Sequence, residues 1–236
     1  MSKKKVAIFD IDGTIFRSSL LIEITEELIK EGIFPEKARD VYNKAHGDWS
    51  DRKDSYDKYI GAVIEAFMKN IKGVLYSDFE KVVKKVIDSR HQRVYRYTRG
   101  LIKDLKKKKY FLLAISHSPT TVVQEFCKKW GFNKAYGRLH ETRPEGSPNG
   151  KFTGKILHED LISDKAKILK RAVERNGLTL KGSVGVGDSE SDIPFLKLVE
   201  RPICFNPNSK LYRHAKSAKW EIVVERKDVI YFFPAK

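Results

Sequence analysis

Residues 6–15 read Val6-Ala7-Ile8-Phe9-Asp10-Ile11-Asp12-Gly13-Thr14-Ile15. The apolar residues that open this run predict a buried parallel strand. Apolar burial cannot explain two aspartates at the end of such a strand, because buried charges are costly unless they are paired or bound to a metal. Residues two apart on a strand face the same side, so both carboxylates are expected at one site. The same residues also fit a solvated turn or part of a calcium loop.

Two later apolar runs also end on polar side chains. Residues 110–115 predict a strand that ends at Ser116, and residues 184–187 predict one that ends at Asp188. Parallel strands present their carboxyl ends at one edge of a sheet, and doubly wound α/β folds bind ligands beyond that edge. We therefore expect Asp10, Ser116 and Asp188 to lie near one another.

The rest of the pattern alternates strands and helices, which predicts an α/β fold with a doubly wound, Rossmann-like parallel sheet. Residues 17–93 carry only helical patterns, so we interpret them as a helical cap inserted after the first strand. The sheet domain would then comprise residues 1–16 and 94–236.

Local signals mark several helix starts and a hairpin. Helix-starting residues and a loop rich in Pro, Gly and Asn predict the following features: Ser18 or Ser19 before a helix over 20–30, Pro35 in a helix that ends near 47, a capping box at 77–80, a hairpin at 136–156 and Ser163 before a helix to 176.

Composition narrows the class of protein and its partners. The chain has 236 residues, 41% of them hydrophobic, which suffices for a full core. The net charge of +16 would attract anionic substrates, but the lysines alternate with glutamates and no nucleic-acid motif is present, so a nucleic-acid partner is not expected. Two cysteines make no disulfide framework, and the apolar run after Lys5 is too short for a signal peptide or a membrane span. We expect a cytoplasmic protein without a membrane partner.

The polar strand ends suit phosphoryl transfer. A carboxylate such as Asp10 can act as a nucleophile and accept a phosphoryl group. Because its charge repels an anionic phosphate, Asp10 and Asp188 are expected to hold Mg²⁺. Ser116 can donate to a phosphate oxygen, and Lys165 can supply a positive charge. Asp192 could bind the metal through water or orient Lys165.

Plainer interpretations stand beside these assignments. A serine such as Ser116 more often caps a helix than binds a ligand. Lys167 and Lys170 compete with Lys165 for its role. Residues 188–192 could form only a polar turn and the start of a helix.

Together these residues resemble the haloacid dehalogenase (HAD) superfamily of phosphohydrolases. Its four motifs occur in order: Asp10-Ile11-Asp12-Gly13-Thr14, Ser116 after an apolar strand, Lys165 at a helix start, and Gly187-Asp188-Ser189-Glu190-Ser191-Asp192. The resemblance covers about residues 3–16 and 97–224. The insertion resembles a C1-type cap, and the hairpin with Ser116-His117-Ser118-Pro119 is similar to subfamily IB, the phosphoserine phosphatase-like branch.

The resemblance implies a reaction and a cofactor. Asp10 would attack the phosphate while Asp12 protonates the leaving alcohol, and Asp12 would then activate water to hydrolyse the aspartyl-phosphate. Mg²⁺ would be held by Asp10, the backbone carbonyl of Asp12 and Asp188, with Asp192 in support. Four residues are assigned to phosphate or substrate binding: Thr14, Ser116, His117 and Lys165. His117 could equally be a partly exposed histidine at a strand–helix turn.

Two departures bear on the substrate. Phosphoserine phosphatases carry a glutamate soon after the first motif, where this chain has Ser19 with Glu23 one turn later. They also usually have glycines where this chain has His117-Ser118. Candidate specificity residues are Arg17, Ser18, Glu23 and the segment 49–52.

The sequence therefore predicts a Mg²⁺-dependent phosphatase for a small phosphorylated metabolite. Two alternatives remain. The first is a phosphotransferase that passes the phosphoryl group to an acceptor alcohol. The second is a basic nucleic-acid-binding protein on the same scaffold, which would bind RNA with a steep salt dependence.

Overall fold

The computed structural model describes residues 3–233; the outermost residues of the predicted sheet domain, 1, 2 and 234–236, lie outside that range. The described chain contains an eight-stranded sheet, and its strands are β1 Lys4–Phe9, β2 Phe111–Pro119, β3 Lys134–Arg143, β4 Lys151–Leu157, β5 Leu178–Gly187, β6 Arg201–Phe205, β7 Glu221–Arg226 and β8 Val229–Phe233.

Helices cover both faces of this sheet. The α-helices are α1 Leu20–Lys30, α2 Asn43–Ser50, α3 Tyr56–Ile71, α4 Tyr76–Arg90, α5 Arg96–Lys107, α6 Thr120–Trp130, α7 Glu159–Ile162, α8 Lys165–Arg175, α9 Ile193–Leu196 and α10 Ser209–Ala218. Short 3-10 helices span Glu36–Val41 and Glu190–Asp192.

The strand order is β4-β3-β2-β1-β5-β6-β7-β8. The six central strands are parallel, and the edge strands β4 and β8 are antiparallel to their neighbours. The chain builds β2 and β3 on one side of β1 and then returns to build β5 to β7 on the other. The predicted α/β class with a doubly wound parallel sheet is confirmed. The order reverses at β1, so the crevice at the carboxyl ends of β1, β2 and β5 is the expected ligand site.

The β1 strand is apolar throughout its second half because both of its faces are covered. Ala7 and Phe9 pack into a core shared with α1, α3 to α6 and the 3-10 helix at 36–41. Val6 and Ile8 pack into a second core with α7 to α10. All four residues are fully buried. This two-sided burial fixes the position of the polar residues that follow the strand.

Between β1 and β2 the described chain forms helices, with β-bridges only at isolated pairs such as Leu75 with Lys151. Helices α1, α3 and α4 pack together. The division into a sheet domain and a cap over residues 17–93 stays a prediction. No helix within residues 3–233 is long and apolar enough to cross a membrane.

Of the two predicted caps of α1, the structure has Ser19, whose Oγ accepts the Leu21 N–H. Other local predictions were wrong in detail. The capping box predicted at 77–80 is absent, because α4 starts one residue earlier, after Leu75, which has no capping side chain. The helix predicted from 35 to 47 is a 3-10 helix followed by α2, which continues to Ser50.

The largest differences lie near the end of the chain. α8 is capped by Asp164 rather than Ser163, and a separate short helix, α7, precedes it. The sequence analysis did not predict α10 or β8. β8 is an exposed edge strand, which lacks the apolar alternation that marks a half-buried strand.

Candidate active site

Asp10 and Asp12 lie directly beyond β1, at the reversal of the strand order. The backbone N–H of Asp10 donates to the Val186 carbonyl on β5 at 2.9 Å, which fixes its place beside that strand. The chain then turns at Gly13, whose φ is +77°. A Cβ at Gly13 would overlap the carboxylate of Asp188. Glycine is therefore required both for this conformation and for the close approach of the two strand ends.

Lys165 lies between two aspartates. Its ammonium donates to Oδ1 of Asp10 and to Oδ1 of Asp192, both at 2.6 Å. The side chain is 2% exposed, whereas Lys167 and Lys170 are exposed. The structure thus separates Lys165 from the lysines that competed with it. It is the first residue of α8, and Asp164 caps that helix by accepting the N–H groups of Ala166 and Lys167.

Asp192 is fully buried, and both of its carboxylate oxygens accept hydrogen bonds. Oδ1 accepts from Lys165, and Oδ2 accepts the backbone N–H groups of Asp188 at 3.0 Å and Ser189 at 3.1 Å. A Cβ at Gly187 would overlap Asp192, so glycine is needed there for packing. This arrangement suits Asp192 to orienting Lys165 and the Asp188 segment.

Asp12 accepts three hydrogen bonds. Its Oδ1 accepts from the backbone N–H of Leu20 at 2.5 Å, and its Oδ2 accepts from the hydroxyls of Ser116 at 2.7 Å and Ser118 at 2.9 Å. β2 continues through both serines to Pro119. Residues two apart on a strand share a face, which brings both hydroxyls to Asp12. The three donors fix the orientation of this carboxylate.

Carboxylates outnumber cations at this site. Lys165 donates to Asp10 and Asp192, while Asp12 and Asp188 lie close enough to Asp10 for the charges to interact. Burial raises the pKa of Asp10 to about 7, although the charge of Lys165 acts in the opposite direction. Burial, followed by the charges of Asp10 and Asp192, also raises the pKa of Asp188 well above its usual value. Burial alone would lower the pKa of Lys165, but the charges of Asp10 and Asp192 raise it.

These residues fit a divalent cation. Asp10, Asp188 and Asp192 each offer an oxygen atom within 4.8 Å of the others. The Thr14 hydroxyl donates to Oδ1 of Asp188 at 3.2 Å. Within residues 3–233 no side chain donates to Oδ2 of Asp188, so this oxygen can bind another ligand. A hard cation such as Mg²⁺ prefers carboxylate and carbonyl oxygens and would offset the excess negative charge. The donor set therefore matches the predicted cofactor.

A cavity of about 300 Å³ opens above the carboxylates. Its floor includes Asp10, Asp12 and Asp188, and its wall on the helical side comes from α3. Tyr56 at the start of α3 lines the cavity, and burial, followed by the charges of Asp12 and Asp188, raises its pKa. The other α3 side chains that line the cavity are Asp57, Ile60 and Ile64. A hollow of about 610 Å³ between Leu196 and Trp220 contains none of the four aspartates.

The predicted residues divide into two layers. Five line the cavity: Asp10, Asp12, His117, Lys165 and Asp188. Three lie fully buried beneath it: Thr14, Ser116 and Asp192. Thr14 contacts Asp188, and Ser116 contacts Asp12. The substrate-binding roles assigned to Thr14 and Ser116 therefore stay predictions.

The candidate specificity residues lie mostly elsewhere. Glu23 forms ion pairs with Arg90 and Arg93 on the helical segment and does not line the cavity. Ser19 does line it. Trp49 stacks on Tyr59 at 5.4 Å, outside the cavity lining.

Sequence reasoning missed three cavity residues with distinct chemistry. Ser118 could have been found from its place two residues after Ser116 on an extended strand. Tyr56 gave no signal beyond its position at a helix start. Arg138 lies on β3 and reaches the cavity only because β3 pairs with β2.

Comparisons with known proteins agree on one family. A family model described as haloacid dehalogenase-like hydrolase matches residues 7–197. A histidinol-phosphatase from Neisseria meningitidis serogroup C is 24% identical over 229 residues, which cover 93% of this chain and 98% of that protein. A phosphoserine phosphatase from Methanocaldococcus jannaschii is 23% identical over 227 residues, covering 96% and 95%. A solved phospho-aspartyl intermediate analogue of phosphoserine phosphatase shares the fold, with a TM-score of 0.61, 23% identity and 96% coverage of each chain.

Proposed function

Since the chain belongs to the haloacid dehalogenase-like hydrolase family, we propose that it is a Mg²⁺-dependent phosphatase that hydrolyses the phosphomonoester of a small metabolite. One observation carries the proposal. Asp10 and Asp12 open onto the same cavity, with Asp10 held by Lys165 at 2.6 Å and Asp12 held by three donors. This arrangement supports the assignment of Asp10 as the nucleophile and of Asp12 as the acid and base.

In the first step Asp10 attacks phosphorus. Lys165 occupies Oδ1, so the attacking atom is Oδ2. The new Oδ2–P bond forms as the bond from phosphorus to the alcohol oxygen breaks, and Asp12 gives its proton to that oxygen. In the second step Asp12 takes a proton from water, and the water oxygen displaces Asp10 from phosphorus. Inorganic phosphate and free Asp10 result.

Mg²⁺ bound by Asp10, the backbone carbonyl of Asp12 and Asp188 would supply positive charge between the nucleophile and the phosphate. The protein supplies the rest of the charge compensation through Lys165. Asp192 keeps the ammonium in place by accepting one of its hydrogen bonds at 2.6 Å.

Substrate binding is assigned to the residues around the cavity. Lys165 and His117 line the cavity, and the hydroxyls of Ser116 and Ser118 orient Asp12 by donating to its carboxylate. We assign the cap role to residues 17–93, because α3 covers one side of the cavity, and closing of such a cover excludes water. The relatives named as phosphatases of phosphoserine and of histidinol phosphate support a small phosphorylated metabolite as the substrate. Two free cysteines support our proposal of a cytoplasmic location.

The first test is phosphate release from an aryl phosphate with Mg²⁺ and with chelator. We expect Mg²⁺-dependent release that Asp10→Asn abolishes. The exposed Asp104 on α5 gives a matched control, and Asp104→Asn should keep wild-type activity. Release by Asp10→Asn at the wild-type rate contradicts the proposal. Product analysis with added alcohols separates hydrolysis from a phosphotransferase reaction, which would yield a phosphorylated alcohol.

A further inference from the structure

Arg138 is brought to the active-site cavity by the pairing of β3 with β2. Arg138 is in register with Pro119, the last residue of β2, directly after Ser118. The neighbouring Gly137 permits this approach, because a Cβ there would lie 2.6 Å from the Ser118 carbonyl oxygen and 2.8 Å from the Cα of Thr120. Both contacts are far shorter than packed atoms allow. Glycine at 137 thus allows β3 to approach the strand end that carries the serines of the site.

Arg138 is half-buried, and part of its guanidinium group has no partner in the protein. Its Nε is buried and has no hydrogen-bond partner among residues 3–233. Within residues 3–233 it forms no ion pair. Burial lowers the pKa of Arg138, and the charge of Glu159 acts in the opposite direction without an ion pair. Arginine nevertheless stays charged, so this wall of the cavity holds an unpaired cation with free donors.

Two neutral histidines, His117 and His140, lie close to Arg138. His117 lines the cavity with it, and the Nε2 of His117 is also buried without a hydrogen-bond partner. Burial, followed by the positive charges of Lys165 and Arg138, lowers the pKa of His117 to about 4. Burial and the charge of Arg138 lower the pKa of His140 to about 4 as well. Leaving the Nε donor of Arg138 unpaired in a buried place is costly, which points to a ligand with an acceptor that completes it.

We infer that Arg138 binds a second anionic group of the substrate. The inference rests on the proposed phosphatase activity and narrows its substrate to a phosphomonoester whose alcohol carries a carboxylate or a second phosphate. The reacting phosphate would lie at Asp10 and Lys165, and the second anion at Arg138. A cavity of about 300 Å³ exceeds the needs of one phosphate, and Leu21, Ile60 and Ile64 offer apolar contact to the carbon chain between the two anions.

A matched pair of esters tests this assignment. The two esters are glycerol 3-phosphate, which has a hydroxymethyl group, and 3-phosphoglycerate, which has a carboxylate at the same position. We expect kcat/KM of the wild type to be about tenfold or more higher for 3-phosphoglycerate, as a charge-assisted hydrogen bond provides. Arg138→Met should lower that ratio about tenfold, and Arg138→Lys should restore part of it. Arg143, exposed at the end of the same strand and paired with Glu141, gives the control. Arg143→Met should keep the wild-type ratio.

A second pair identifies the anion. Propane-1,3-diol monophosphate and its bisphosphate differ only in the second phosphate. If the bisphosphate is preferred over the monophosphate more strongly than 3-phosphoglycerate is preferred over glycerol 3-phosphate, Arg138 binds a phosphate. If the preference for 3-phosphoglycerate is the stronger one, Arg138 binds a carboxylate.

Binding provides a readout that does not depend on turnover. Calorimetry with Asp10→Asn and Mg²⁺ should show 3-phosphoglycerate binding about tenfold tighter than to the double variant Asp10→Asn/Arg138→Met. Equal ratios in wild type and Arg138→Met, or equal binding to the two variants, overturn the inference while leaving the phosphatase proposal intact. Absence of phosphate release from every ester, with the expected binding difference present, would instead overturn the proposed function alone.

Discussion

The ammonium of Lys165 lies 2.6 Å from Oδ1 of Asp10, although 155 residues separate the two in the chain. Both side chains are buried, and Asp192 completes the contact from the other side at 2.6 Å. Buried charges are tolerated when they are paired and hydrogen-bonded. This contact therefore ties the end of β1 to the start of α8 and places a positive charge beside the proposed nucleophile.

Lys165→Met should damage stability and activity by separable routes. Removing one partner of a buried ionic group typically costs about 3–5 kcal/mol, because the remaining charges are left uncompensated. Lost charge stabilisation should lower kcat by about 100-fold or more. The double variant Lys165→Met/Asp192→Asn should regain part of the free energy of unfolding but none of the activity. Urea denaturation and phosphate release measure the two effects.

Lys167 provides the control for that experiment, because it is exposed on the same helix. Lys167→Met should change neither property. If the double variant regained activity together with stability, Lys165 would be a structural residue only.

Mg²⁺ should stabilise the protein through Asp188. A ligand that binds only the folded state raises Tm by mass action, so millimolar Mg²⁺ should raise the Tm of the wild type by several degrees. Asp188→Asn should remove this rise. Without Mg²⁺ the same variant should melt above the wild type, since burial raises the pKa of Asp188 and disfavours its charged form. An equal Mg²⁺-induced rise in both proteins would exclude Asp188 as a ligand.

His140 should make stability depend on pH between about 4 and 6.5. Burial, and then the charge of Arg138, lower its pKa from the ordinary value of 6.5 to about 4. The unfolded chain therefore takes up a proton at a higher pH than the folded chain does. The stabilisation is full above pH 6.5 and is lost as the pH falls toward 4, by about 1–3 kcal/mol.

His140→Phe isolates this contribution. The centroid of the His140 ring lies 5.4 Å from that of Phe67 and 6.3 Å from that of Phe152, in edge-on contacts. A phenylalanine at this position should keep these contacts. Urea denaturation at pH 7 and 4.5 should show a smaller acid-induced loss in the variant than in the wild type, while the exposed His46→Phe should behave as the wild type. An unchanged loss in His140→Phe would show that His140 is protonated in the folded protein.

Ser118→Ala should weaken the acid–base function of Asp12. The variant removes one of three donors to Asp12 and leaves Leu20 N and Ser116 in place. We expect kcat to fall about tenfold with an alkyl phosphate. The fall should be smaller with an aryl phosphate, because an aryl oxide leaves without much help from an acid.

Ser89→Ala is the matched control, since the exposed Ser89 hydroxyl bonds only to its own helix. Equal losses with the alkyl and the aryl ester would place Ser118 outside proton transfer.

Much of the site was predictable because it depends on strand ends. Asp10, Ser116 and Asp188 each follow an apolar run, and parallel pairing brings those ends together. The residue pattern alone did not separate Lys165 from Lys167, and the choice of Lys165 came from the family resemblance. Burial distinguishes the two lysines, and burial depends on the start of α8. That start is set by Asp164, one residue beyond the predicted cap.

The surroundings of the predicted specificity residue Glu23 also could not be read from the sequence. Its position after the first motif suggested substrate contact, but Arg90 on α4 pairs with it instead. Arg138 shows the converse. Nothing near it in the sequence signals a site, because its access to the cavity depends on the register between β2 and β3. Contacts between distant segments decide both cases.

The measurement that tests the account most directly is the location of the phosphoryl group in the reacting enzyme. The protein is mixed with an aryl phosphate and Mg²⁺, quenched in acid and digested for mass spectrometry. We predict a peptide that carries Asp10 and is heavier by about 80 Da, the mass of one phosphoryl group. The adduct should be absent from Asp10→Asn and from the chelator-treated wild type. A phosphoryl group on another residue, or steady phosphate release by Asp10→Asn, would contradict the assignment of Asp10 as the nucleophile.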